Sequence, residues 1–326
     1  MNDPLLQVRD LGVDFGARTA LDAVSFDVAR GETVGLVGES GAGKSTLARA
    51  ILRLIPASRG AVIWRGEDLL TCDARAMRRH RRDLQIVFQD PLASLNPRMT
   101  VGEALAEPLK IFEPGLAAAQ RRARVDQMLE RVGLSAPMSA RYPHEFSGGQ
   151  CQRIGIARAM MQGPKLLVCD EPVSSLDVSI QGQIVNLLAD LQREFGTAML
   201  FISHNLAVVR HLSHRVMVIY CGRIVETAPC DELFAAPAHP YTRALLAAVP
   251  DPTSIFEAPE AHAAPPPARP REAGEAPPGG EILSGCAFRD RCAYAQDACA
   301  ATVPPLEGVG GIHAVACHRR RELVYS

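Results

Sequence analysis

Short apolar runs alternate with helical patterns over the first three quarters of the chain. Runs rich in β-branched and aliphatic residues, which are typical of buried strands, lie at 33–37, 165–169, 198–202 and 215–219. Between them, apolar residues recur at helical spacing, first at Leu47, Ile51 and Leu54, and later at Val125, Met128, Leu129 and Val132. Strands that alternate with helices predict an α/β unit built on a largely parallel, covered sheet.

Two stretches depart from this alternation. From about Leu92 to Tyr142 the pattern is helical with no convincing strand, so we expect a helical subdomain that extends to about residue 160. Residues 258–280 are rich in proline, alanine and glycine, a composition that cannot bury enough apolar surface to fold alone. We therefore expect an α/β unit over residues 5–250, a linker or extended arm over 251–282, and a small cysteine-containing module over 283–326.

Composition and charge exclude several classes of protein. The net charge of −1 over 326 residues gives no electrostatic footprint for nucleic acid. The chain start lacks the basic and apolar regions of a signal peptide. No apolar run approaches the roughly 18 residues that a membrane-spanning helix needs. The nine cysteines form no dense framework and fit a reducing compartment. These features predict a cytoplasmic protein whose membrane role, if any, comes through a partner.

A phosphate-binding pattern follows the first predicted strand. Residues 38–45 read Gly-Glu-Ser-Gly-Ala-Gly-Lys-Ser and match G-x-x-x-x-G-K-[ST] in full. Glycines let backbone amides turn inward around phosphates, and the helix that follows points its positive end at the anion. We predict that this loop binds a nucleoside triphosphate, with Lys44 on the outer phosphates and Ser45 as a Mg²⁺ ligand. The other expected binding residues are Gly38, Ser40, Gly41, Gly43 and Thr46.

A later apolar strand ends in two carboxylates, Asp170 and Glu171. The carboxyl ends of parallel strands form the ligand-binding edge of such a sheet. Asp170 is then placed to hold Mg²⁺ through its water shell, and Glu171 to polarise the water that attacks the terminal phosphate. Asp-Glu-Pro is also an ordinary way to leave a strand, but beside a phosphate loop it indicates hydrolysis.

A second glycine-containing helix start comes between these two motifs. Ser147-Gly148-Gly149-Gln150 precedes a helical run. Ser147 is a suitable N-cap, and the two glycines bare the amides of the first turn. The chain therefore has a second helix end that is suited to an anion.

The three motifs, in their order along the chain, resemble the ATPase cassette of ABC transporters. In that family two cassettes pack head to tail, and each nucleotide lies between the phosphate loop of one and the Ser-Gly-Gly-Gln of the other. The resemblance implies a dimer in which Ser147, Gly148, Gly149 and Gln150 act in trans. It also implies a P-loop fold with a mostly parallel sheet, an antiparallel edge part and a helical subdomain.

Four further positions match the family pattern. Gln89 resembles the glutamine that contacts Mg²⁺ and senses the permease. Asp177 lies in a stretch that is similar to the loop crossing the dimer interface. His204 matches the switch histidine at the terminal phosphate, and Phe15 stands where an aromatic residue stacks on adenine. The resemblance thus implies ATP and Mg²⁺ as cofactors, with Lys44, Glu171 and His204 as the catalytic residues.

Longer stretches resemble the ATPases of dipeptide and oligopeptide importers, the peptide/nickel group. They are residues 88–99, 142–145 and 239–243, together with the proline-rich arm and the cysteine module. The resemblance implies a second ATPase subunit (a different chain or a second copy), two transmembrane permeases and an external solute-binding protein. It places the chain peripherally at the cytoplasmic face of the cell membrane. Nickel, glutathione and other small solutes stay open, because the permease and binding protein select the solute.

Four cysteines near the end of the chain, Cys286, Cys292, Cys299 and Cys317, suit tetrahedral zinc or a [4Fe–4S] cluster, and reduced thiols are the third alternative. The resemblance favours iron–sulfur, because some peptide importer ATPases carry a cluster here. We expect His313 and His318 to be ordinary surface histidines, and removal of the module to spare the chemistry of the cassette.

Two other functions remain as alternatives. A soluble ABC ATPase of DNA repair or translation usually carries two cassettes or a long coiled-coil insertion, and this chain has one phosphate loop and a short insert. A metal or redox sensor built on the C-terminal cysteines would have no need of Lys44, Asp170, Glu171 and His204. Cys151, directly after the second helix start, suggests that thiol reagents inhibit the ATPase.

Overall fold

The computed structural model describes residues 4–248 and 284–323. The linker that the sequence predicts over 251–282 lies outside the described residues. In chain order the strands are β1 (Leu6–Phe15), β2 (Arg18–Val28), β3 (Thr33–Val37), β4 (Arg59–Trp64), β5 (Glu67–Asp68), β6 (Leu84–Val87), β7 (Leu166–Asp170), β8 (Ala198–Ile202), β9 (Arg215–Tyr220), β10 (Arg223–Pro229), β11 (Glu307–Gly310) and β12 (His313–Val315).

The α-helices follow the same order of the chain. They are α1 (Lys44–Ile51), α2 (Ala74–His80), α3 (Val101–Phe112), α4 (Ala118–Arg131), α5 (Gly148–Met160), α6 (Val178–Phe195), α7 (Leu206–Leu212), α8 (Cys230–Ala235), α9 (Pro240–Ala247), α10 (Asp297–Ala301) and α11 (Arg320–Leu323). Single 3₁₀ turns lie at Ala136–Ala140, Pro143–Glu145 and Arg289–Arg291. Within the described ranges, every helix is too short or too polar to cross a lipid bilayer.

The chain folds into two compact units. Among the described residues, the first comprises 4–7, 27–33 and 63–203, and the second comprises 8–26, 34–62, 204–248 and 284–323.

In the first unit the strand order is β8-β7-β6, and both pairings are parallel. Every residue of β7 and β8 is buried, which explains why these strands read as continuous apolar runs. The register pairs Asp170 with Ile202 at the carboxyl ends of β7 and β8. The fold therefore carries the acidic pair to the end of a buried parallel strand.

Helices α3, α4 and α5 pack on one another in the same unit. Helix α3 begins with a capping box, in which the Thr100 hydroxyl accepts from the Glu103 amide and the Glu103 carboxylate accepts from the Thr100 amide. Val125, Met128 and Leu129 are the buried residues of α4, as their spacing predicts. No strand occurs between Leu92 and Tyr142, a stretch that is described throughout.

In the second unit the strand order is β11-β12-β10-β9-β3. Strand β3 pairs with β9 in parallel, whereas β9 with β10, β10 with β12, and β12 with β11 are antiparallel. Helix α7 packs so closely on β3 that a Cβ at Gly35 would lie 2.6 Å from a methyl group of Val209. The cysteine module thus contributes two strands to the sheet that holds β3.

A smaller sheet has the strand order β2-β1-β4-β5, in which β4 and β5 are antiparallel. From Val24 to Val28, strand β2 shows alternating burial, with Val24, Phe26 and Val28 buried, as expected for a strand with one covered face. The α/β fold with mixed sheets confirms the predicted fold class. Leu54 lies beyond the end of α1 and is 42% exposed, so the helical pattern extended one turn too far.

Candidate nucleotide-binding site

The phosphate loop connects β3 to α1 in the second unit. Lys44 is the first residue of α1 and is only 5% exposed. Its Nζ donates to the carbonyl oxygens of Gly38 and Glu39, at 2.8 and 2.9 Å. The ammonium group is therefore held inside the loop by the loop's own backbone, with the start of α1 beside it.

Two glycines of the loop are required by their surroundings. A Cβ at Gly38 would lie 2.3 Å from the carbonyl oxygen of Ile219. Gly43 is the N-cap of α1 with φ +105°, and a Cβ there would lie 2.8 Å from the Ala20 carbonyl oxygen. Side chains at either position would push the loop out of shape, so the sheet and β2 together fix its path.

The other predicted residues of this unit lie in the loop, in the first turn of α1, or far from the loop in the sequence. Ser40 and Gly41 are exposed, and Ser45 and Thr46 lie half-buried in the first turn of α1. Phe15, the last residue of β1, is 52% exposed, so its ring is open to a planar ligand. His204 is also exposed. The residue after it, Asn205, caps α7 by accepting from the amides of Ala207 and Val208.

The acidic strand end lies in the first unit. Asp170 is 3% exposed at the end of β7. Glu171 follows with φ +49°, a left-handed backbone that is uncommon for a residue other than glycine. Its amide donates to the Ile202 carbonyl at 3.0 Å, and its carbonyl accepts from the Ser174 hydroxyl at 3.1 Å. These two hydrogen bonds fix the backbone of Glu171 at the end of β7.

The second helix start has the predicted capping geometry. Ser147 is the N-cap of α5: its hydroxyl accepts from the Gln150 amide at 3.3 Å, and the Gln150 side chain accepts from the Ser147 amide at 3.0 Å. Ser147 and Gly148 are exposed. A Cβ at Gly149 would lie 2.7 Å from a methyl group of Ile180, so glycine allows α5 to approach α6 closely. Asp177, the N-cap of α6, is exposed as well.

Gln89 is exposed two residues beyond β6. Near it, a cavity of about 320 Å³ in the first unit is lined by Phe88, Ile111, Glu107 and Arg158, among others. Arg158 pairs with Glu107 at 2.7 Å and donates to the Ser94 carbonyl at 2.9 Å. The segment after the glutamine is thus tied to α3 and α5.

The four C-terminal thiols gather in one module. Burial raises the pKa of Cys317 to about 11, and the other three thiols add to this. The Cys286 amide donates to the Cys299 carbonyl at 2.7 Å. In tetrahedral zinc the sulfurs lie roughly 3.8 Å apart, from a Zn–S bond of about 2.3 Å. Among the described residues, one set of three or more His, Cys, Asp or Glu residues has all its ligand atoms within 4.8 Å of one another, and it consists of Glu67, Cys72 and His80. The four C-terminal thiols do not form such a set. The four thiols are therefore more widely spaced than a single zinc ion requires.

The expectation for His313 is wrong. His313 is 3% exposed and lies on β12, where its Nε2 contacts Glu226 at 2.8 Å and its Nδ1 contacts Glu232 at 2.9 Å. Glu226 is fully buried in β10. His313 is a buried bridge between the module and the sheet, and not a surface residue. His318 is partly exposed and contacts the Thr302 carbonyl.

Cys151 is also less accessible than its place in the sequence suggests. The residue is fully buried, and its Sγ donates to the Pro143 carbonyl at 3.5 Å. Burial raises the pKa of this thiol, which lowers its thiolate fraction at neutral pH. Both features argue against inhibition by alkylation at Cys151.

Comparison with known families gives two matches. The "ABC transporter" family matches residues 21–174, and the family "Oligopeptide/dipeptide transporter, C-terminal region" matches residues 225–299. The oligopeptide transport ATP-binding protein OppF of Salmonella typhimurium is 50% identical over 330 residues, covering 96% of this chain and 95% of that protein. A putative peptide import ATP-binding protein of Brucella ovis is 53% identical over 320 residues, covering 97% and 98%.

Solved structures agree with this relationship. The cbiO1 structure from Clostridium perfringens, part of the ABC transporter complex cbiONQ, has a TM-score of 0.65 at 28% identity, covering 72% of this chain and 92% of that one. The dimeric post-hydrolysis structure of the ATP-binding cassette MJ0796 with ADP and Pi has a TM-score of 0.63 at 27% identity, covering 69% and 98%.

A phosphate loop after a buried strand, an acidic strand end and a capped Ser-Gly-Gly-Gln helix start on an α/β fold define an ABC-type ATPase. Within that class, the chain is about 50% identical over nearly its full length to peptide transport ATP-binding proteins. It belongs to the family of oligopeptide and dipeptide transport ATP-binding proteins.

Proposed function

We propose that this chain binds and hydrolyses ATP to drive the import of short peptides across the cytoplasmic membrane. The observation that supports this most directly is Lys44, whose buried ammonium group is held inside the phosphate loop at the start of α1. A lysine in that position places a positive charge where the outer phosphates of a nucleotide bind.

The catalytic roles follow from the chemistry of each group. Lys44 binds the terminal phosphates, Glu171 polarises the attacking water, and His204 contacts the terminal phosphate. Ser45, Gln89 and Asp170 supply the oxygen donors that Mg²⁺ prefers. These ligand types fit the ion, which neutralises charge that develops on the phosphates.

The catalytic unit that we propose is a dimer of cassettes. The exposed capped start of α5 and the exposed Asp177 act on the nucleotide bound to the partner ATPase, which is a second, related subunit or another copy. The ATP contacts within one chain are made by the phosphate loop and by the open ring of Phe15. Closure on ATP and opening after hydrolysis supply the motion that a transporter needs.

The proposed partners in the membrane are two permeases, with a solute-binding protein outside. The residues on either side of Gln89 include the exposed Phe88 and Leu92, and Phe88 lines the cavity near α3, which supports a contact with the permease there. The chain itself is then peripheral, at the cytoplasmic face. We also propose that the cassette spans residues 5–250, with a helical subdomain at about 92–160, an arm at 251–282 and a module at 283–326.

The proposed occupant of the cysteine module is a [4Fe–4S] cluster held by Cys286, Cys292, Cys299 and Cys317. Two observations support it: burial and then neighbouring thiols of the set raise the pKa values of Cys286, Cys292 and Cys317, and the four thiols are spaced more widely than a zinc site. Cysteine thiolates are the usual ligands of such clusters. We assign the cluster a structural or regulatory task. Iron and sulfide analysis of anaerobically purified protein tests this, and zinc at one equivalent with no iron would refute it.

The decisive experiment for the function joins partner recovery to activity. Affinity-tagged chain is purified from detergent-solubilised membranes and its partners are identified by mass spectrometry. The proposal expects two permeases and a second ATPase, and peptide-stimulated ATPase activity after reconstitution with the binding protein. Lys44→Ala is expected to keep the partners and lose the activity. Recovery of ribosomal or nucleic-acid partners instead would overturn the transport assignment.

A further inference from the structure

One side chain of the cysteine module reaches the phosphate loop. Arg291 directly precedes Cys292 and closes the 3₁₀ turn Arg289–Arg291. Its two terminal nitrogens donate to both carboxylate oxygens of Glu39, at 2.9 and 3.0 Å. Glu39 is the second residue of the phosphate loop. A two-pronged guanidinium–carboxylate pair fixes direction as well as distance.

Aromatic rings hold the guanidinium in place. Its central carbon lies 5.5 Å from the ring centre of Phe288 and 5.9 Å from that of Tyr220, within the range of cation–π attraction. The rings of Tyr220, Tyr241 and Phe288 pack on one another with centres 4.5–5.5 Å apart. The aromatic rings therefore hold the guanidinium of Arg291 in position, and the Arg291 side chain is only 30% exposed.

Glu39 is held a second time through its backbone. Its amide donates to the hydroxyl oxygen of Tyr241 at 2.9 Å, and its carbonyl accepts from Lys44 Nζ. Glu39 thus contacts Arg291 through its carboxylate, Tyr241 through its amide and Lys44 through its carbonyl.

We propose that Arg291 is a positioning residue for the phosphate loop, through which the cysteine module sets the affinity of the cassette for ATP. The inference rests on the proposed function, since it requires that the loop bind ATP. Arg291 contacts Glu39 and acts on the nucleotide through it.

The expected direction follows from charge. Without Arg291, the Glu39 carboxylate is an uncompensated negative group on a loop that binds phosphates, and it repels them. The carboxylate is also free to change direction, which loosens the carbonyl that orients Lys44. Both effects weaken ATP binding, whereas neither removes a group that takes part in hydrolysis.

The cysteines influence the position of Arg291 through the backbone turn that lies between them. Cys286 and Cys292 flank the turn that carries Phe288 and Arg291, and the Cys286 amide is bonded to the Cys299 carbonyl. Any group that the four thiols bind therefore holds this turn, and its loss releases Arg291 from Glu39. The module then sets the affinity of the cassette for ATP, while the groups that hydrolyse ATP stay in place.

The test measures the KM for ATP and kcat of the complete reconstituted transporter that carries full-length variants. Arg291→Ala is expected to raise KM about fivefold, or about 1 kcal/mol at 1.4 kcal/mol per tenfold change, with kcat within twofold of the parent. Arg291→Lys keeps the positive charge but cannot make the two-pronged contact with Glu39, and its KM for ATP should lie between those of the parent and Arg291→Ala. Cys292→Ser should raise KM in the same direction and add little to Arg291→Ala.

Arg289→Ala is the matched control, because Arg289 lies in the same turn but bonds to the Ser284 carbonyl and to Asp290. Its KM should equal that of the parent. An unchanged KM in Arg291→Ala, or an equal rise in Arg289→Ala, would overturn the proposal. Lys44→Ala separates this failure from failure of the proposed function: if the parent binds ATP and Lys44→Ala does not, only the role of Arg291 is lost.

Discussion

Replacement of His313 by alanine is expected to destabilise the chain strongly. The imidazole of His313 lies between Glu226 and Glu232, with its side chain 4% exposed and that of Glu226 fully buried. The pair joins β12 of the cysteine module to β10. The variant leaves the Glu226 carboxylate buried without its cation.

The magnitude follows from what remains around Glu226. Removal of one partner from a buried ion pair costs roughly 3–5 kcal/mol. Glu226 keeps two charge-assisted bonds, from the amides of Ala238 and His239 at 2.8 and 2.9 Å. We therefore expect a loss at the lower end of that range, about 3 kcal/mol in the free energy of unfolding.

The effect is also expected to depend on pH. The Glu226 hydrogen bond, and after it that of Glu232, raise the pKa of His313 above its ordinary value of 6.5. A raised pKa stabilises the fold fully below 6.5, and this contribution is lost as the pH rises through the folded-state value. Burial raises the pKa of Glu226, but the hydrogen bonds from His313 and from the amides of Ala238 and His239 outweigh it and lower this pKa below 4.5, so the carboxylate of the parent is charged from pH 5.5 to 8.5.

The assay is urea unfolding of full-length parent and His313→Ala, followed by tryptophan fluorescence and circular dichroism at pH 5.5, 7.0 and 8.5. The difference in free energy should be largest at pH 5.5 and narrow towards pH 8.5. His318→Ala is the control, since that histidine is partly exposed and contacts the Thr302 carbonyl. A difference below 1 kcal/mol at pH 5.5, or equal effects of the two variants, would refute the reasoning.

Two further variants test the site and the helical insertion. Glu171→Gln is expected to bind ATP with unchanged affinity and to lower ATPase turnover by at least about 100-fold, because the amide cannot accept the proton of the attacking water; equilibrium binding with single-turnover hydrolysis checks it, and normal turnover would contradict the assignment. Thr100→Ala removes the capping box of α3 and should lower stability by about 1 kcal/mol, while Thr100→Ser restores it; equal unfolding curves for all three proteins would count against the cap.

Local patterns predicted the parts of the fold that depend on neighbouring residues. Strands β3 and β8 lie where their apolar runs predict, β7 is shifted by one residue, and β9 is one residue longer. Ser147 caps α5 as expected, because the capping signal lies within four residues. The resemblance implies an antiparallel edge part, but the sequence analysis assigns no residues to β1 or β2. The alternation of the buried residues Val24, Phe26 and Val28 with their neighbours is the strand signal that locates β2.

Contacts between distant residues could not be predicted in the same way. Arg291 and Glu39 are 252 positions apart, and His313 and Glu226 are 87 apart. An arginine or a histidine has the same local sequence whether its side chain faces solvent or a buried carboxylate. The role of the module at the phosphate loop is therefore visible only in the fold.

The pairing of β12 with β10 also bears on how the protein is made. The backbone of β10 has β9 on one side and β12 on the other, and β12 is synthesised well after β10 because it lies far beyond it in the chain. Until then one edge of β10 carries unpaired amides and carbonyls, which invite pairing with another chain. A nascent or truncated cassette that ends before β12 is therefore expected to self-associate, and expression of the cassette alone would call for a chaperone or for a designed charge on that edge.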